Sequence, residues 1–146
     1  MKTFKQNTGF FSHGVLNLSP KESFELCKEG AIIVDVRESY MNGFKMFKVD
    51  IIIYLPFSEL EKSYQDLPAD RSLIFADAVG LKSREGVLFM NTNGYENVAN
   101  MAGGIVDWER EGLPLTTDIT ARLSGTCMCQ LKKREKVKGR KGVREI

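Results

Sequence analysis

The stretch "SLIFADAVGLKSREG", Ser72 to Gly86, decides how this chain folds. It opens as a continuous apolar run, the pattern of a strand buried on both faces of a parallel sheet. It then passes Asp77, crosses a short loop carrying Gly80, and at Ser83 enters a segment that reads as a helix ended by Gly94. A strand delivered to a glycine-bearing loop that opens a helix aims several backbone N–H groups at one spot, a cradle for an anion. At the mouth of this cradle stands a residue that is itself an anion, Asp77.

The flanking sequence repeats the strand–helix alternation. "VLNL" (Val15–Leu18) reads as a short strand, and Ser19, Pro20 and Glu22 spell a capping box with proline at the first helical position. The helix that follows places Phe24 and Cys27 one turn apart and stops near Gly30. "AIIVDV" and "IIIYLP" are two further buried strands, and Ser58 with Glu61 repeats the capping-box spelling ahead of an amphipathic helix, "ELEKSYQDL". "ENVANM" reads as a last strand, and "GGIVDWEREG" as a helix with Ile105 and Trp108 on its core face, closed by Gly112 and Pro114. Strands alternating with helices predict an α/β fold: a three-layer open sheet of about five mostly parallel strands with helices on both faces. Ligands of such sheets bind beyond the carboxyl ends of the strands, where Asp35 and Asp77 fall.

Composition sets the outer limits. A chain of 146 residues, 42% apolar and 27% charged, suits one domain with extensions. We take residues 1–14 as an N-terminal extension, 15–117 as the domain and 118–146 as a C-terminal extension. No run approaches the length of a membrane span and the N-terminus lacks a secretion-signal core, so the expected location is cytoplasmic. Three cysteines, Cys27, Cys127 and Cys129, do not make a disulfide framework, and Cys27 reads as a small core residue. The net charge of +2 is uneven. From Lys132 to Ile146 there are eight Lys/Arg and two Glu, so the tail carries +6 and the remainder −4. His13, the one histidine, precedes the domain and is expected at the surface with nothing beside it to pair.

Taken in series, these pieces resemble the rhodanese-like domains. "AIIVDVRE" carries an Asp-Val-Arg signature on Asp35, Val36 and Arg37, and "YLPFSEL" looks like the next strand and helix. "NGYENVANMAGGIVDWEREGLPL" is similar to the family's C-terminal run through Gly103, Gly104, Trp108, Gly112, Leu113 and Pro114. The resemblance implies a five-stranded parallel sheet with a binding loop after the fourth strand. In active members that loop begins with a cysteine, which takes a sulfane sulfur from thiosulfate or a similar donor and passes it on as a persulfide. The matching loop here is Asp77, Ala78, Val79, Gly80, Leu81, Lys82 and Ser83, with Asp35, Arg37 and Arg84 in support. Gly80 and Ser83 agree with the family pattern, Lys82 stands for an arginine, Ala78 replaces another, and Asp77 falls at the cysteine position. The family's frequent Gly-His-Ile-Pro-Gly segment is replaced by "GFKMFKVDII".

Sulfur transfer requires a polarizable thiolate that attacks sulfur and persists as a persulfide. A carboxylate is a hard oxygen anion with no stable analogue of that intermediate. Two roles for Asp77 remain open. It can satisfy the loop's N–H donors as a built-in anion, with Lys82 and Arg84 adding charge nearby and Asp35 ordering the loop by hydrogen bonding, Arg37 standing in a nearby ion pair. Alternatively, Asp77 and Asp35 can share Mg²⁺ or one of them accept a phosphoryl group, although no second aspartate follows Asp77 at short spacing.

The C-terminal "SGTCMCQLKKREK" is the other feature with chemistry in it. Cys127 and Cys129 are a possible relocated sulfur carrier or redox pair, their pKa lowered by neighbouring cations. Alone they supply half a tetrahedral zinc site, and they also read simply as free thiols on an exposed tail. The basic tail has no aromatic residue for base stacking and no nucleic-acid recognition motif, which argues against nucleic acid as the partner. The resulting expectation is a catalytically silent module for a protein partner, with a sulfurtransferase or thiol redox protein working through Cys127 or Cys129, and a sulfur acceptor as its partner, as the alternative. Neither reading calls for a cofactor or a metal.

Overall fold

Successive apolar residues in the buried strands face opposite sides of one sheet, and each side is covered. The computed structural model describes residues 8–38 and 45–117. In chain order the elements are β1 (Phe10–Ser12), β2 (Val15–Leu18), α1 (Pro20–Lys28), β3 (Ile32–Asp35), β4 (Lys45–Phe47) and β5 (Ile52–Tyr54). There follow α2 (Phe57–Ser63) with a 3₁₀ turn at Tyr64–Asp66, then β6 (Leu73–Ala76), α3 (Leu81–Thr92), β7 (Val98–Met101), α4 (Gly104–Arg110) and β8 (Leu115–Thr117). The main sheet has the order β1-β2-β7-β6-β3-β5. Its five strands from β2 to β5 run parallel, and β1 joins the edge antiparallel through Phe10↔Asn17 and Ser12↔Val15. β4 and β8 form a separate antiparallel pair.

The alternation resolves into two cores. Val15, Ile32, Val34, Leu73, Phe75 and Val98 meet Leu60, Val87 and Met90 under α2 and α3. Leu18, Ile33, Ile74, Ala76, Ala99 and Met101 meet Cys27, Ile105 and Trp108 under α1 and α4. Trp108 is fully buried, edge-on to Phe24 and Phe47, and its indole N–H donates to the Pro114 carbonyl at 2.7 Å. Both faces are buried, so β3, β5 and β6 lie in continuous apolar runs.

The Ser19 capping box is present in full: Ser19 Oγ accepts from the Glu22 N–H, and the Glu22 carboxylate accepts from the Ser19 N–H. The second one is not. Ser58 lies inside α2, whose N-cap is Pro56, and a distant carboxylate does the capping. Glu38 accepts from the Ser58 N–H at 3.2 Å and from the Ser58 hydroxyl at 2.9 Å. α2 also ends sooner than its amphipathic pattern suggests, at Ser63, tightening into the 3₁₀ turn. His13 is exposed at the β1–β2 turn with φ 56°, and it does have a neighbour: Ser12 Oγ lies 2.9 Å from its Nδ1. Among the described residues no helix is long and apolar enough to cross a membrane.

Candidate functional site

β3 and β6 are paired as Asp35↔Ala76, so Asp35 and Asp77 emerge at the same carboxyl edge of the sheet. The chain leaves β6 at Asp77, turns at Gly80 with φ 95°, and starts α3 at Leu81, two residues before Ser83. Asp77 explains the early start. Gly80 is the N-cap and has no side chain to offer, so the Asp77 carboxylate caps instead. Its Oδ1 accepts from the Gly80 N–H, and its Oδ2 accepts from the Lys82 N–H at 2.9 Å. The carboxylate therefore sits against the positive end of α3, in a position that is 6% exposed.

The loop rests on the next crossover. The Asp77 and Ala78 carbonyls accept from the Ile105 and Val106 N–H groups at 2.9 and 3.1 Å, tying the loop to the first turn of α4. Gly104, the second glycine of "MAGG", permits that approach. A Cβ on Gly104, whose φ is 58°, would stand 2.3 Å from the Asp77 carbonyl oxygen. A Cβ on Gly80 would stand 3.0 Å from the Gly103 nitrogen.

A buried polar chain that the strand patterns do not announce runs from the loop to the sheet edge. Asn100 donates to the Gly80 carbonyl at 3.2 Å and to Asn17 Oδ1 at 3.0 Å, and Asn17 donates in turn to the Ser12 and Val15 carbonyls. These donations fix both amide orientations and leave Asn100 Oδ1 facing the Ser83 hydroxyl. Ser83 has one hydroxyl hydrogen and a second acceptor, Asp77 Oδ1, at 3.4 Å. Asn100 is much the nearer and takes the hydrogen, so the Asp77 carboxylate depends on the two backbone amides. The signal for this chain was the pair of asparagines inside otherwise apolar strands, which meet only because Asn17 and Asn100 are in register.

Asp35 is engaged elsewhere. Its oxygens accept from the Arg37 N–H at 3.1 Å, Nε at 3.0 Å and Nη2 at 2.8 Å, and Arg37 Nη2 also donates to the Lys45 carbonyl at 2.8 Å. Both side chains are buried, and burial raises the Asp35 carboxyl above the usual range against the opposing pull of Arg37. The expected ion pair with Arg37 is present and straps β4 to the sheet, whereas the expected loop-ordering role is corrected, because the Asp35 carboxylate's hydrogen bonds go to Arg37 and not to the loop. A cation shared by Asp35 and Asp77 would have to displace that guanidinium. Among the described residues neither Lys82 nor Arg84 forms an ion pair with Asp77. Lys82 instead lays its ammonium over the Phe57 ring at 5.0 Å. Cys127 and Cys129 lie outside the described residues. Cys27 is buried, and burial pushes its thiol up to about 12.

Residues 19–111 match the rhodanese-like domain family. The chain is 32% identical over 104 residues to a thiosulfate sulfurtransferase, GlpE, of Haemophilus influenzae, an alignment covering 68% of this chain and 93% of that protein. It is 28% identical over 87 residues to a sulfurtransferase of Allochromatium vinosum, covering 60% and 79% of the two chains. Among solved structures, a rhodanese-related protein of Thermoplasma volcanium superimposes with a TM-score of 0.62 at 27% identity, over 68% of this chain and 96% of that one.

Proposed function

Because the chain belongs to the rhodanese-like domain family, we propose that it is a catalytically silent member, a binding or regulatory module whose anion cradle is occupied by its own Asp77 carboxylate. The observation that carries this reading is the pair of N–H donations, from Gly80 and Lys82, onto that carboxylate. In the family reaction a thiolate attacks the outer sulfur of the donor, sulfite departs with the bonding electron pair, and the sulfur stays on the enzyme as a persulfide. Asp77 has no sulfur with which to form that bond, and its charge occupies the donors that would otherwise receive an anionic substrate. The loop keeps its fold through contacts independent of any nucleophile: the α4 amides, Gly104 and the Asn100 chain.

The domain we assign to residues 15–117 is then a folded platform presenting a stiffened loop. If the architecture is intact and only the reagent has changed, Asp77→Cys gives a protein that picks up one sulfur atom on residue 77 from thiosulfate, read as the mass of the corresponding tryptic peptide. A folded Asp77→Cys protein that never gains sulfur would show that Ala78, or the altered segment before β5, closes the site independently, and the proposed role of Asp77 would fall.

A further inference from the structure

The Asp77 loop and the helices on either side of it leave apolar side chains uncovered. α3 and α4 cover opposite faces of the sheet, and the loop spans the carboxyl edge between them, bonded through the Ala78 carbonyl to the Val106 N–H of α4. Along that edge Leu81 is 55% exposed, Val79 50% and Val106 42%. Apolar residues exposed singly need no explanation, but three gathered on bonded segments mark a contact surface.

The topology brings an occupant to the same edge. β8, the last described strand, pairs with β4 as Lys45↔Thr117. Lys45 bonds in two directions. Its carbonyl accepts from Arg37, the partner of Asp35 at the carboxyl edge, and its ammonium meets Glu109 of α4 at 2.7 Å. Glu109 lies one turn from Val106 on that helix. The chain therefore leaves the fold beside the apolar rim. These links bound the distance from Thr117 to Val79 at about 35 Å, against about 40 Å for the twelve residues from Thr117 to Cys129 when extended.

Residues 118–131, "DITARLSGTCMCQL", suit that rim. Ile119, Leu123, Met128 and Leu131 are the larger apolar residues, and one Asp and one Arg leave the segment neutral, so charge neither drives nor opposes the contact. The first seven residues of the chain offer only Met1 and Phe4. A segment tied to this chain also meets the rim at a local concentration that an unlinked protein has to exceed. We infer that residues 118–131 dock on the rim of Val79, Leu81 and Val106 through Leu123 and Met128, so that the extension covers the loop and a partner has to displace it. The inference goes beyond the silent-module reading, because the path from Thr117 to Val106 is the same whatever Asp77 does.

The test uses the full-length ¹⁵N-labelled chain, whose amide spectrum also verifies the fold of each variant. Leu123→Asp combined with Met128→Asp, both outside the described domain, should shift the amides of Val79, Leu81 and Val106 and leave those of α1 and α2 in place. Val106→Glu, at an exposed position, should in turn shift the amides of Leu123 and Met128. A nitroxide on Cys129 of a Cys127→Ser chain, Cys27 being buried, should erase the Val79, Leu81 and Val106 signals until ascorbate reduces it. Unmoved signals at either end, or nitroxide losses on other elements alone, would overturn the inference. So would losses in a mixture of nitroxide-bearing ¹⁴N chain and label-free ¹⁵N chain, which would assign the rim to a second copy. Thiosulfate treatment keeps the two readings apart, since sulfur gained by the native chain sinks catalytic silence and leaves the docking result standing.

Discussion

Asp77, the proposed occupant of the loop's anion cradle, is also the cap of α3. The two roles share one cause: amides that converge on an anion accept whichever anion the chain supplies. Ser83 supports the loop rather than the carboxylate, through its bond to Asn100. Ser83→Ala leaves the Asn100 carbonyl without that donor in a buried position, and should lower stability by about 1–2 kcal/mol in denaturant unfolding without changing the fold. Cys27 gives a pH prediction. Its thiol ordinarily titrates near 9.0 and here does so near 12. Above pH 9 the unfolded chain releases this proton while the native chain keeps it, so the native state binds more protons and stability falls as pH rises. The slope from this group is at most about 1.4 kcal/mol per pH unit, and Cys27→Ala should remove it from unfolding curves taken between pH 8 and 10.

At the scale of elements, the junction between the loop and α4 depends on Gly104. Gly104→Ala sets a methyl group against the Asp77 carbonyl and takes residue 104 out of its preferred backbone range. We expect about 2–4 kcal/mol of destabilisation, together with faster hydrogen exchange at Ile105 and Val106, the amides that hold the loop. The junction also shows what was legible in the sequence. β3, β5 and β6 could be read because strands buried on both faces lie in continuous apolar runs, and α1 because its cap lies three residues from its partner. β1 and β4, three residues each, lie in no such run, and β8 follows the proline that closes the last helix. The cap of α2 is supplied by Glu38, twenty positions upstream, and the Asn17–Asn100 contact exists only once β2 and β7 are in register. Asp77 was legible as a candidate because it sits where a strand meets a glycine loop. Its effect on the start of α3 was not, since that depends on which way its side chain turns.

For the whole molecule, the family assignment and the parallel sheet agree with the strand–helix alternation and the family motifs read along the chain, and a glycine-bearing loop follows β6 as "SLIFADAVGLKSREG" suggested. The proposed silence is a property of the full chain, because Cys127 and Cys129 provide thiols outside the domain whatever Asp77 does. The direct test is the intact mass of the native full-length protein after incubation with thiosulfate, with Asp77→Cys treated in parallel and each cysteine mapped by alkylation. The account predicts no added sulfur on Cys27, Cys127 or Cys129 of the native chain, and one added sulfur on the substituted residue 77. One sulfur atom on Cys127 or Cys129 of the native chain would contradict it.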